Sequence, residues 1–161
     1  MDLLLPSSIS GVGGSLVNVV EILQKVGSIL GSTLNVEKVA EAHYFMVLRR
    51  GDSYLRVYAI YTHSYLRTPR KLGIPYDNAM LGVRTTILMN KDIDIILWVV
   101  ELDNCVSVYM GKSKLILNYC LEHNTIYHNE LTGEYICNYP MVNTRKIYEV
   151  CRKTLLDFSR K

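Results

Sequence analysis

The apolar positions of this chain change period several times, and each change marks an element. Val12, Leu16, Val19, Leu23, Val26 and Leu30 recur in alternating steps of four and three. That is the spacing of one face of a helix. Asn18, Glu21, Gln24, Lys25 and Ser28 fall between them, Ser15 is placed to cap the start, and Gly31 to end the helix. Val17, Val20, Ile22 and Ile29 widen the stripe, as in a helix packed on a core. The other reading of so wide a stripe is a docking face for a partner helix or a lipid interface.

The period then shortens. Asn35–Ala42 reads as a brief second helix. Tyr44–Leu48, the turn Arg49-Arg50-Gly51-Asp52-Ser53, and Tyr54–Tyr61 read as strand, turn, strand. In the second strand Leu55, Val57, Ala59 and Tyr61 form the better core face, with Tyr54, Arg56, Tyr58 and Ile60 opposite. Thr68-Pro69 to Ile74-Pro75 is loop, and Asp77 or Asn78 caps a helix running to about Met89. Ile95–Val100 is an unbroken, β-branched apolar run that holds the single Trp of the chain, Trp98. It predicts a central strand buried on both faces. Leu102-Asp103-Asn104 turns it into a second strand, in which Cys105, Val106, Val108 and Met110 show some alternation.

Leu115–Leu121 reads as a third strand of this region. Thr125–His128 and Glu134–Asn138 read as a last hairpin through Asn129–Gly133. Pro140 and Asn143 stop the sheet and open a terminal helix with Ile147, Val150, Cys151, Leu155 and Phe158 on its apolar side. The expected class is α+β: a mostly antiparallel sheet flanked by an N-terminal, a middle and a C-terminal helix. Residues 1–14 form a flexible lead-in, and residues 15–161 form one domain, the default for a chain of this length.

Composition refines this picture. Hydrophobic residues make up 49% of the chain and charged residues 20%, which excludes bulk disorder. The formal net charge of +3 is too small to identify a partner, so local clustering carries the argument. Twelve Tyr and few Ala suit an AT-rich genome, such as many viral ones. Cys105, Cys120, Cys137 and Cys151 are widely spaced, lack any C-x-x-C and sit beside apolar residues. They read as buried free thiols rather than a zinc site, which implies a reducing, intracellular compartment, cytoplasm or nucleus. The N-terminal segment has no basic region before its short apolar run, unlike a signal peptide, and no stretch reaches the roughly 18 apolar residues of a membrane span.

The strongest local cluster of charge is His43–Lys71. Arg49, Arg50, Arg56, Arg67, Arg70 and Lys71 face a single acid, Asp52, with Tyr44, Tyr54, Tyr58, Tyr61 and Tyr65 interleaved. Cations neutralise phosphates and aromatic rings stack on bases, so Arg49, Arg50, Arg56, Arg67, Arg70, Lys71, Tyr54 and Tyr58 are the candidate nucleic-acid or anionic-surface residues. An anionic membrane surface or an acidic partner fits the same composition. The plainer reading is a solvated hairpin whose Arg stems cover its rings.

Candidate chemistry is sparse. Tyr58, His63 and Lys91 are residue types that together cleave RNA: one removes the 2′-hydroxyl proton, one protonates the leaving oxygen, one stabilises charge. His63-Ser64, Val83-Arg84 and Lys91 before an apolar strand resemble the catalytic domain of archaeal tRNA-splicing endonucleases. That family's Lys-Phe-Gly before its Tyr is replaced here by Leu55-Arg56-Val57, and the Tyr-to-His gap is short. Glu101 and Asp103 share a strand face and are carboxylates of the kind that hold Mg²⁺, but no Lys follows where a PD-(D/E)xK nuclease needs one. His123 and His128 near Glu122 and Glu130 match no metal signature, and no P-loop, dinucleotide fingerprint or nucleophile elbow is present. No cofactor or metal is expected.

In element order, size, composition and basicity the chain resembles small α+β matrix proteins of the rhabdovirus type. No motif carries the likeness, and the Pro-Pro-x-Tyr motif of animal members is missing. The resemblance implies a non-enzymatic virion protein that binds nucleoprotein and membrane and self-associates. The competing class is an RNA-cleaving endonuclease subunit using Tyr58, His63 and Lys91.

Overall fold

The computed structural model describes residues 18–62, 79–102 and 104–151. The fold is α+β with a mostly antiparallel six-stranded sheet as its middle layer. The chain enters through α1 (Val19–Leu30), capped by Asn18, whose side chain accepts from the Glu21 N–H at 3.1 Å. Gly31 ends the helix by donating to the Gly27 carbonyl at 2.8 Å. Ser15 and the lead-in lie outside the described residues. Val19, Ile22, Leu23 and Val26 are buried, as the three-and-four spacing requires.

Three antiparallel strands follow: β1 (Ser32–Ala40), β2 (His43–Arg50) and β3 (Ser53–Thr62). The expected short helix over Asn35–Ala42 is therefore a strand. Thr33, Val36 and Val39 are β-branched, and Ala42 turns the chain with φ 65°, placing β1 against β2. The β2–β3 hairpin stands where it was expected, with strand pairing that runs on to Arg50 and Ser53 and Gly51 at φ 62° in its turn.

The chain resumes at β4 (Met80–Arg84) and a one-turn helix, α2 (Thr85–Leu88), where a long helix to Met89 was expected. The period is two rather than 3.6: Leu81 and Val83 are buried, while Gly82, a poor helix former, sits between them. The central hairpin is β5 (Ile95–Leu102) and β6 (Cys105–Lys112). The segment expected as a third strand is instead α3 (Ser113–His123), with Ile116 and Cys120 buried one turn apart and Asn124 closing it in the left-handed region. A short apolar run does not by itself distinguish strand from buried helix.

The expected last hairpin is present as β7 (Ile126–Asn129) and β8 (Glu134–Pro140). After a 3₁₀ turn, β9 (Arg145–Cys151) pairs antiparallel with β6, replacing the first part of the expected terminal helix. Its register shifts between Lys146 and Tyr148, so the adjacent residues Ile147 and Tyr148 both pack on the core. Leu155 and Phe158 lie outside the described residues.

In the large sheet the strand order is β9-β6-β5-β3-β2-β1, all antiparallel except the β3–β5 pair. A small sheet, β4-β8-β7, packs behind it. The central run explains itself in this frame. Ile95, Leu97 and Val99 face α1 and the front core; Ile96, Trp98 and Val100 face the small sheet, α2 and α3. A strand covered on both sides has no polar face to show. Val106, Ser107 and Val108 of β6 are buried as well, so both faces of that strand are covered over this stretch.

The cysteines form two disulfides rather than staying free: Cys105–Cys151 joins paired positions of β6 and β9, and Cys120–Cys137 ties α3 to β8. The thiol argument for a reducing compartment falls with them. Among the described residues no helix is long and apolar enough to cross a membrane.

Candidate nucleic-acid interface and inter-sheet cleft

Strand register brings distant cations together. One row across the large sheet runs Val36, Met46, Val57, Ile95, Lys112. Beyond this row, towards the same end, lie the hairpin residues Arg49 and Arg50, paired with Tyr54 and Ser53. Arg56 sits beside the start of β5: its N–H donates to Asp94 Oδ2 at 2.9 Å, and the Asp94 N–H donates back to the Arg56 carbonyl at 2.9 Å. Lys91, Lys112 and Lys114 line one cavity there, together with Leu55 and Asp94. All six cations (Arg49, Arg50, Arg56, Lys91, Lys112, Lys114) are exposed, as are the acids Asp52, Asp92 and Asp94. Arg145, opposite Met110 on β6, adds an exposed cation near this end.

The far end of the sheet has a different character. It carries Glu41, Glu101 and Glu149, where Glu41 pairs with Lys38 at 3.3 Å and Glu149 with Lys146 at 3.5 Å. Among the described residues the charge is therefore uneven along the strand direction.

Of the tyrosines expected among the cations, Tyr54 is there, half exposed beside Arg49. Tyr58 is not. Its ring turns into the cleft between the two sheets, where its hydroxyl is 2.9 Å from His43 Nδ1. Arg67, Arg70, Lys71, His63 and Tyr65 lie outside the described residues. Lys91, Lys112 and Lys114 were not part of the expected cluster. No sequence window contains them with Arg49, and only pairing through β3, β5 and β6 brings them close.

The cleft is a second polar concentration. A cavity of about 290 Å³ is lined by His43, Thr62, Arg84, Asn138 and Tyr127, with the edge of Trp98. Arg84 Nε lies 3.0 Å from Glu134 Oε2. Burial lowers the pKa of His43 below its ordinary value, Arg84 lowers it further, and the Glu134 carboxylate opposes. Burial raises the pKa of Tyr58, with Arg84 opposing. The phenol therefore stays protonated and the imidazole neutral, and the two share a hydrogen bond whose direction follows the tautomer of His43.

Of the expected catalytic types, the two described ones, Tyr58 and Lys91, are not gathered. Tyr58 belongs to this cleft, whereas Lys91 lines the cavity at the cationic end. Glu101 accepts from the Tyr61 hydroxyl, and Asp103 lies outside the described residues. His123 stacks on Tyr119, and His128 packs on Tyr135. Among the described residues, the one cluster of metal-ligating types close enough to share an ion is Cys105, Glu149 and Cys151. Its two sulfurs are bonded to each other. Comparison with protein-family models, with curated proteins and with solved structures finds no match.

Proposed function

We propose that this is a non-enzymatic interaction protein that docks on nucleic acid, free or as nucleoprotein, through the cationic end of its large sheet. The observation that carries the reading is the convergence of Arg49, Arg50, Arg56, Lys91, Lys112 and Lys114 on that one end. Phosphates spaced along a strand suit cations spread over several strand ends, and each neutralised phosphate releases condensed counterions. Tyr54, half exposed opposite Arg49, offers a ring on which a base can stack. The matrix-type role implied by the sequence, with membrane contact and self-association, is compatible with this surface and needs further surfaces of its own.

The test is fluorescence anisotropy with labelled single-stranded RNA and with duplex DNA across a salt series. The expected result is binding that weakens steeply with salt. Arg49→Glu/Arg50→Glu should weaken it at least tenfold with an unchanged melting temperature, because exposed turn charges contribute little to folding. Salt-independent binding, equal binding by the reversed variant, or preference for anionic vesicles over both nucleic acids overturns the reading.

A further inference from the structure

The cationic end also opens into a groove whose floor is apolar. The cavity holding Lys91, Lys112 and Lys114 has a volume of about 740 Å³, and Leu88, Ile93, Leu115 and Leu117 line it as well. Met89 and Leu117 also line a second cavity of about 310 Å³, with Leu121, Ile126 and Tyr135. The two cavities share Met89 and Leu117, so an apolar cavity adjoins the cationic one beside α3. The apolar side chains are presented rather than hidden: Met89 is 68% exposed, Leu121 63% and Leu115 57%. Water contact over so much apolar surface is unfavourable, and a contiguous patch of this kind marks a binding site.

We propose that this groove binds a single-chain anionic amphiphile. Its phosphate or carboxylate head sits among Lys91, Lys112 and Lys114, and its acyl chain lies over Met89 and Leu117 towards Leu121. Charge complementarity selects this occupant. A purely apolar helix would leave three ammonium groups facing it, and a bare phosphate would leave the apolar floor wet. One carboxylate, Asp94, lines the head end, and the Arg56 N–H already engages it. Each of the two cavities is within the usual range for small-molecule sites. This inference does not rest on nucleic-acid binding, although both readings draw on Lys91, Lys112 and Lys114.

The experiment is isothermal titration of the full chain with dodecyl phosphate below its micelle concentration, alongside octyl phosphate, inorganic phosphate and dodecyl maltoside. Dodecyl phosphate should bind one to one. Octyl phosphate, four methylenes shorter, should bind about a hundredfold more weakly. Inorganic phosphate and the uncharged maltoside should show no comparable affinity. Met89→Glu, at an exposed position, and Lys91→Ala/Lys114→Ala should each weaken dodecyl phosphate at least tenfold. Affinity independent of chain length, equal binding of the maltoside, or a dimer in sedimentation that Met89→Glu dissociates would each overturn the proposal; the last would assign the groove to a second copy of the chain.

Discussion

The indole N–H of Trp98 donates to the carbonyl of Gly82 at 3.0 Å, and this bond joins the large sheet to the small one. Trp98 is 1% exposed and lies near-parallel to Tyr139 across the back core. Truncating it removes both the packed ring and the partner of a backbone acceptor. Trp98→Ala should cost about 3–5 kcal/mol in urea unfolding, the transfer term plus the cavity. A loss under about 1 kcal/mol would mean that the small sheet does not depend on this anchor.

Gly27 offers a different kind of test. An added Cβ there would fall 1.5 Å from Thr33 Oγ1 and 2.8 Å from Thr33 Cβ. In an isolated helix, Gly→Ala favours folding. Here the methyl must push β1 away from α1, so Gly27→Ala should destabilise by about 1–3 kcal/mol. Ser28→Ala, next to it but exposed, should stay within about 0.5 kcal/mol. Thermal melts of the two variants check the contrast.

These residues also show what the sequence made legible. Ile95–Val100 declared a doubly covered strand because no polar residue interrupts it, and Arg49–Ser53 declared a turn by its chemistry. Three segments misled for a common reason: their apolar runs are short and fit two periods. Leu115–Leu121 became a helix because Ile116 and Cys120 meet the back core one turn apart. Met80–Arg84 and Arg145–Cys151 became strands because β8 and β6 offered them open edges. Such pairing is a tertiary fact that local pattern does not hold. The same limit applied to the site. Arg49 and Arg50 stood out as neighbours, whereas Lys91, Lys112 and Lys114 join them only through the register of four strands.

The two disulfides carry a prediction of their own. Cys120 and Cys137, separated by 17 positions, link α3 to β8 inside the back core, both with no exposed surface. Closing a loop of that size stabilises by about 3 kcal/mol in the chain-entropy model. Cys120→Ala/Cys137→Ala should therefore lower the denaturant midpoint markedly. In the folded wild type this pair should resist reductant under conditions that reduce Cys105–Cys151, whose Cys151 is exposed. Peptide mapping without reductant should recover both linkages; a different pairing, or four titratable thiols in native protein, would refute the arrangement.

The cleft makes stability depend on pH with a definite sign. In the unfolded chain His43 titrates near its ordinary value of 6.5, and in the folded protein lower, because burial and Arg84 both disfavour the imidazolium. Between those two values the unfolded state binds more protons, so stability rises with pH there. His43's contribution is fully present above pH 6.5 and is lost as pH falls from there through the lower folded value. Urea midpoints measured downwards from pH 7.5 should show this loss, and His43→Gln should flatten it. An NMR titration of the His43 ring should give a pKa below 6.5 in the wild type. Arg84→Gln should raise it, since the substitution removes one depressing charge and leaves the Glu134 carboxylate, which acts in the opposite sense, without its partner. A ring that titrates at or above its ordinary value, or one indifferent to Arg84, would show that His43 is not held neutral against Tyr58.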